Sequence, residues 1–83
     1  MNAELIHIGF GNLVAINKVV AIAHPGSAPM KRIVQEAKIG GLVIDLTSGR
    51  KTKAVIIMDS GHIVLAAIAP ETIAGRLTSS REG

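Results

Sequence analysis

Two consecutive apolar runs constrain the fold of this chain most strongly. Residues 55–58 are apolar in succession, and a second run begins at residue 62 and continues to residue 67 or 68. Neither run alternates apolar with polar residues, which is typical of strands buried on both faces of a sheet. Residues 59–61 between them carry a tight-turn signal. The sequence therefore predicts a central β-hairpin with apolar side chains on both sides.

Further strands are predicted on the N-terminal side of this hairpin. They are runs of β-branched and apolar residues separated by turns that contain Gly, Asn or Pro. Residues 13–18 fit either a strand or an extended loop. The predicted strands are at residues 5–8, 19–24, 42–47, 52–58 and 62–68. This pattern predicts an α/β chain of the α+β type, with a small, mostly antiparallel sheet of about five strands.

One main helix and one short closing helix complete the pattern. Ser27 is a good N-cap, Pro29 suits the first turn, and Gly40 stands where the main helix should end. Apolar residues recur at i, i+3, i+4 and i+7 between these limits, which indicates one buried face. Pro70 opens the short C-terminal helix, and residues 79–83 are expected to fray.

The small size of the chain bears on how these elements are covered. Its 83 residues form a single domain, with an ordered core at about residues 3–78, and 48% of them are apolar. Such a composition argues against intrinsic disorder. A fold this small is expected not to cover two apolar sheet faces by itself. Self-association is therefore favoured over a monomer with a helix over each face.

Few residue patterns fit a cofactor or metal site. The absence of Cys excludes disulfides, a thiolate nucleophile and a thiolate zinc site. The glycines at Gly9 and Gly11 lack the third glycine of a dinucleotide-binding loop, and residues 49–52 match only the end of a P-loop. The three histidines lie on separate segments without the spacing of a ligand pair. We expect no metal, no cofactor and no small-molecule substrate.

The two aspartates do not suggest catalysis. Asp59 opens a turn, where its side chain is expected to bond its own backbone. Asp45 interrupts an apolar strand, which an edge position or a salt bridge with Lys53 would explain. Because acid–base and nucleophilic catalysis need paired groups in a pocket, the chain is not expected to be an enzyme.

The basic segment at residues 47–53 is the remaining candidate for function. It carries Arg50, Lys51 and Lys53 without an acid, and Gly49 makes its turn sharp. Cations on such a loop can approach a phosphate backbone, and Arg can donate two parallel hydrogen bonds to a phosphate or a guanine edge. Taken alone, three cations are more often a solubility feature.

Two further candidate cations lie outside this segment. Lys18 precedes a strand, and Arg32 lies in the first turns of the main helix, where the helix dipole favours an anion. The formal net charge of +3 would be multiplied in an oligomer, and repeated loops would then form a cationic rim suited to a polyanion.

Five short motifs along the chain occur in an order that resembles one known family. The motifs are Ile8-Gly9-Phe10-Gly11-Asn12, Ser27-Ala28-Pro29 followed by Lys31-Arg32, Gly49-Arg50-Lys51-Thr52, Ile57-Met58-Asp59-Ser60 and Pro70-Glu71-Thr72. Each motif alone is weak, but their combination over residues 5–77 is specific. The chain resembles the RemA family, the extracellular matrix regulatory proteins A of Gram-positive and related bacteria.

The resemblance implies a DNA-binding transcriptional regulator without enzymatic activity. Family members are similar to the LytTR DNA-binding fold, form ring-shaped homo-octamers, hold duplex DNA on basic residues of the ring surface, and control biofilm matrix genes. The DNA-contact positions carry over to Lys18, Arg50 and Lys51, with Lys53 and Arg32 as second-tier candidates. Lys stands at two positions where relatives often have Arg, so phosphate binding should survive better than base readout.

Location and two alternative functions complete the expectations. The apolar stretches are shorter than the roughly 18 residues of a membrane span. Glu4 stands where a signal peptide would carry cations, so a cytoplasmic protein is expected.

One alternative is an RNA-binding ring, which the near absence of aromatic residues disfavours for single strands. The other is a non-enzymatic structural or protein-interaction scaffold.

Overall fold

A computed structural model describes the backbone of residues 4–82 and the side chains of residues 4–76. Within these residues the chain is a small α+β fold, and a short 3-10 helix at Ile16–Lys18 joins its second and third strands. The elements in chain order are β1 (Leu5–His7), β2 (Leu13–Ala15), β3 (Val19–Ala23), α1 (Ala28–Ile39), β4 (Val43–Asp45), β5 (Ala54–Met58), β6 (Ile63–Ala66) and α2 (Pro70–Glu82).

The strands form two sheets, whereas the sequence predicted one sheet of about five strands. The larger sheet has the order β3-β5-β6-β4, and only its β4–β6 pair is parallel. β1 and β2 pair with each other in a separate antiparallel hairpin. This hairpin lies over the larger sheet because the opposed residues Ile6 and Val14 bury one of its faces. A three-residue strand carries too little alternation for the sequence to reveal this.

The predicted burial of β5 and β6 on both faces is confirmed. On one face Ile56 and Val64 pack with the β1–β2 hairpin and with Ile73 of α2. On the other face Val55 and Leu65 pack against α1. The expectation that one copy could not cover both faces is therefore wrong for these strands. The N-terminal hairpin and α2 together supply the second cover.

The helix boundaries follow local chemistry. The Ser27 side-chain oxygen accepts a hydrogen bond from the Met30 backbone N–H at 3.3 Å, and Gly40 caps the other end of α1, as predicted. α2 is longer than predicted and extends over 13 residues. The Arg76 guanidinium of α2 donates to the His7 carbonyl oxygen at 2.9 Å, which ties the helix to β1. The predicted fraying of residues 79–83 lies outside the described side chains and stays a prediction.

Several large apolar side chains are nevertheless exposed in a single copy. Ile39 is 82% exposed at the end of α1, and Val20 is 67% exposed on the edge strand β3. The others are Leu5, Phe10, Leu13, Leu42 and Ile44. Exposed apolar side chains at a sheet edge and on a hairpin are suited to contacts with another protein surface.

The two helices of the described region do not have the length and apolar character that a membrane-spanning helix requires.

The central position of Ile56 gives a direct test of this packing. Ile56→Ala removes a side chain that is 1% exposed, and we expect it to lower the free energy of unfolding by about 2–5 kcal/mol. The control substitution Gln35→Ala shortens an exposed polar side chain of α1 and should change stability by no more than about 0.5 kcal/mol. Urea unfolding followed by circular dichroism measures both. Equal losses in the two variants would contradict this description of the core.

Candidate nucleic-acid interface

The basic segment begins with a tight turn after β4. The Arg50 backbone N–H donates to the Thr47 carbonyl oxygen at 3.0 Å, which closes a four-residue turn. Its two central residues, Ser48 and Gly49, have φ angles of 55° and 79°, as a type I′ turn requires. The predicted turn is confirmed, and it places Arg50 and Lys51 on the surface.

The Asp45 carboxylate fixes the start of this turn. One carboxylate oxygen accepts from the Thr47 backbone N–H at 2.9 Å and from the Thr47 hydroxyl at 2.6 Å. These hydrogen bonds lower the pKa of Asp45 below its ordinary value. The predicted edge position of Asp45 is confirmed, but the suggested salt bridge with Lys53 is wrong because the carboxylate is engaged by Thr47. Asp45 therefore stabilises the backbone at the start of the turn.

An aromatic ring supports the Arg50 side chain. The centre of the guanidinium lies 4.9 Å from the centroid of the Phe10 ring, within the range of a cation–π interaction. Phe10 is 50% exposed and has a φ angle of 56°. Its neighbours Gly9 and Gly11 also have positive φ angles, and glycine tolerates this conformation where Phe is strained. The glycines thus allow a sharp loop that carries the aromatic ring to Arg50.

Asn12 holds the loop between β1 and β2 in place, which we call the Phe10 loop (residues 8–12). Its backbone N–H donates to the Gly9 carbonyl oxygen at 3.0 Å, and its carbonyl oxygen accepts from the Ile8 N–H at 3.0 Å. Its side-chain amide donates to the same Gly9 oxygen at 3.1 Å and to the Leu46 carbonyl oxygen at 3.4 Å. The last bond connects the loop between β1 and β2 to the segment that leads into the basic turn.

Lys51 and Lys53 extend the positive surface beyond Arg50. Both are exposed, and the Lys53 backbone N–H donates to the Ala66 carbonyl oxygen at 2.8 Å next to the start of β5. Among the side chains of residues 4–76, no carboxylate oxygen lies within 4.0 Å of these two ammonium groups or of the Arg50 guanidinium. The structure therefore brings three of the five predicted residues together as an uncompensated cationic cluster, which we call the basic loop (residues 50–53).

Lys18 lies at the opposite end of the larger sheet. Val19 pairs with Met58, at the end of β5, whereas the basic loop precedes the first residue of β5. The Lys18 ammonium lies 3.9 Å from the Asp59 carboxylate, and both side chains are more than half exposed. The Asp59 side chain thus pairs with Lys18, in place of the predicted bond to its own backbone. An exposed pair at this distance contributes at most about 1 kcal/mol and can exchange partners.

Arg32 is exposed on α1, outside the basic loop. Its neighbour Lys31 lines a groove between the helix and the sheet together with Val34 and Thr52. This part of α1 therefore lies beside Thr52 of the basic loop, and a contact of Arg32 with DNA stays a prediction.

The sequence motifs did not indicate the contact between Phe10 and Arg50, nor any role for Arg76. Phe10 and Arg76 line a surface groove together with His7. The isolated aromatic residue between two glycines was the one available signal, because a strained loop around a large side chain is costly unless that side chain has a use.

The other histidines take part in local contacts. The His24 ring nitrogen lies 2.8 Å from a Glu71 carboxylate oxygen, and His62 Nδ1 lies 2.7 Å from the Ser60 hydroxyl. These exposed pairs connect the end of β3 to α2 and close the turn between β5 and β6, respectively.

The lowered pKa of Asp45 predicts a pH-dependent contribution to stability. Because the folded state favours the carboxylate, this contribution is present above the unfolded pKa near 3.8 and is lost as the pH falls through the lower folded pKa. Asp45→Asn keeps an acceptor oxygen but removes the charge. We expect the variant to be less stable than the parent at about pH 6, with the difference vanishing in acid below the folded pKa. Urea titrations at several pH values measure it, and a constant difference would contradict this role.

Comparison with known proteins places this surface in a family context. A family model described as extracellular matrix regulatory protein A-like, RemA-like, matches residues 5–77. A protein of Dehalococcoides mccartyi strain BAV1 is 66% identical over 83 residues, covering 100% of this chain and 86% of its own length. A protein of Thermoanaerobacter sp. strain X514 is 58% identical over 82 residues, covering 99% and 85%, and one of Clostridium novyi strain NT is 57% identical, covering 99% and 91%.

The names of all three relatives provisionally describe them as regulatory proteins. The family match covers both the Phe10 loop and the basic loop, and the relatives align over nearly the whole chain. On this basis the chain belongs to the RemA-like family of regulatory proteins.

Proposed function

We propose that the chain is a DNA-binding transcriptional regulator of the biofilm or extracellular matrix type, without enzymatic activity. It acts in the cytoplasm and holds duplex DNA on a basic surface of a homo-oligomeric ring of about eight subunits. The observation that carries the proposal is the basic loop, which presents exposed cations on a hydrogen-bonded turn and has no acidic partner among the described side chains. Membership of a regulatory family supports the same conclusion.

The chemistry of the basic loop fits a phosphate backbone. Arg50 can donate two parallel hydrogen bonds to one phosphate, while Lys51 and Lys53 act as mobile point charges beside it. Because the turn and its Asp45 anchor fix the backbone, binding does not have to order the loop. Phosphate contacts of this kind give affinity and orientation, and sequence preference arises from base contacts and DNA bending.

β5 separates Lys18 from the basic loop within one subunit. The strand has five residues, so the distance is roughly 17 Å. A duplex that lies along several subunits of the proposed ring can contact both sites. Exposed apolar side chains such as Val20 and Ile44 offer surface for the contacts between subunits. Weak binding by each subunit then adds up to a high overall affinity, because the sites are held at fixed spacing.

Substitution of Arg50 tests the proposed contact. Arg50→Ala should abolish the gel shift of duplex DNA and leave the subunit number unchanged in light scattering, since the side chain is exposed and supports no core contact. Loss of assembly in Arg50→Ala, or DNA binding equal to that of the parent protein, would contradict the assignment.

Salt dependence provides a second test of the mechanism. If about six phosphates are neutralised per complex, the affinity should fall about 10³-fold between 50 and 200 mM salt. Fluorescence anisotropy with a labelled duplex measures the slope, and duplex RNA of the same sequence is the competitor. A flat salt response would reject phosphate binding, stronger competition by RNA would favour an RNA-binding ring, and no binding at low salt would favour a scaffold.

A further inference from the structure

We propose that Phe10 is a positioning residue that holds the Arg50 guanidinium in its DNA-binding orientation, and that the Phe10 loop is therefore part of the interface. This inference rests on the proposed function, because it concerns how the basic loop binds DNA. The observation that carries it is the guanidinium–ring contact at 4.9 Å between two loops that are far apart in sequence.

The contact connects two exposed groups that would otherwise move independently. Phe10 is half exposed and Arg50 is exposed, so neither side chain is held by the core. An arginine side chain has several rotatable bonds, and fixing it on binding costs conformational entropy. A guanidinium that already rests on an aromatic ring has lost part of this freedom before the DNA arrives.

Hydrogen bonds between side chains and the backbone hold the two loops in place relative to each other. The Asn12 side chain bridges the Gly9 and Leu46 carbonyl oxygens, and Asp45 anchors the turn that begins at Thr47. The loop that carries the Phe10 ring and the turn that carries the Arg50 guanidinium are therefore connected to each other by hydrogen bonds. The positive φ angle of Phe10 is sterically unfavourable, and it is maintained at the position that brings the ring to Arg50.

The geometry also accounts for an arginine at this position. A planar guanidinium can stack on a ring with one face and still direct its N–H groups outward in the plane, toward a phosphate or a base edge. A lysine ammonium is a point charge without such a plane. We therefore expect Arg50→Lys to bind DNA more weakly, although the charge of the basic loop is unchanged.

A double-mutant cycle tests the positioning role. Phe10→Leu keeps an apolar side chain and the net charge but removes the ring, and Phe10→Tyr keeps the ring as the conservative control. We expect Phe10→Leu to weaken duplex binding by about two- to fivefold for each contacting subunit, which is the range of an exposed cation–π interaction. Phe10→Tyr should bind like the parent protein.

The same substitution in an Arg50→Gln background, which removes the cation, separates positioning from a general structural effect when residual binding is measured at low salt. If Phe10 acts through the guanidinium, Phe10→Leu has little further effect there, and the salt slope of the single variant equals that of the parent. If Phe10→Leu weakens binding equally in both backgrounds, Phe10 touches DNA directly or merely shapes the loop, and the inference is wrong. Circular dichroism and light scattering verify that all variants fold and assemble alike.

A measurement without DNA keeps the two proposals distinguishable. The Arg50 side-chain N–H resonance should show a ring-current shift that is lost in Phe10→Leu and retained in Phe10→Tyr. If the parent protein binds no duplex DNA while this shift is present, the proposed function fails and the positioning role for DNA fails with it. If the parent binds DNA and Phe10→Leu binds equally well, only the positioning role is overturned.

Discussion

Burial of two neighbouring strands on both faces is the constraint on which the rest of the structure depends. β5 and β6 contain almost only apolar residues, so the remaining elements must cover two sides of the sheet. α1 covers one side, and the N-terminal hairpin together with α2 covers the other. Lys18 lies beside one end of the central strand β5, and the basic loop lies beside the other end.

The candidate interface arises from the way the covering elements meet at one end of the sheet. The hairpin brings the Phe10 loop to the turn after β4, and Asn12 connects the two segments. Asp45 contributes its charge to the backbone of the turn, so it does not neutralise the basic loop. The result is a positive surface on a hydrogen-bonded turn, in which the carboxylate nearest in sequence is already engaged by Thr47.

The sequence predicted the parts of the fold that depend on local signals. The unalternating runs predicted the buried strands, and Ser27 and Gly40 predicted the limits of α1. The covering of the second sheet face could not be predicted, because it depends on the pairing of two three-residue strands and on the docking of α2. For the site, charge and turn residues predicted the basic loop, whereas the contact with Phe10 joins residues 40 positions apart and has no local signal.

The family relationship indicates the general role of the protein, whereas the structure indicates which residues could carry it out. Similarity over almost the whole chain establishes a regulatory family. The structure adds a physical account of why the segment around Arg50 is suited to an anionic partner and why Lys18, at the far end of β5, needs either a long ligand or a second copy to contribute. Both points support the proposal of a polyanionic partner.

Lysine footprinting of the assembled protein tests the central claim most directly. Lysines are modified with and without saturating duplex DNA and quantified by mass spectrometry. Our account predicts that Lys51 and Lys53 become protected by DNA. Unchanged reactivity of Lys51 in the DNA complex would contradict it.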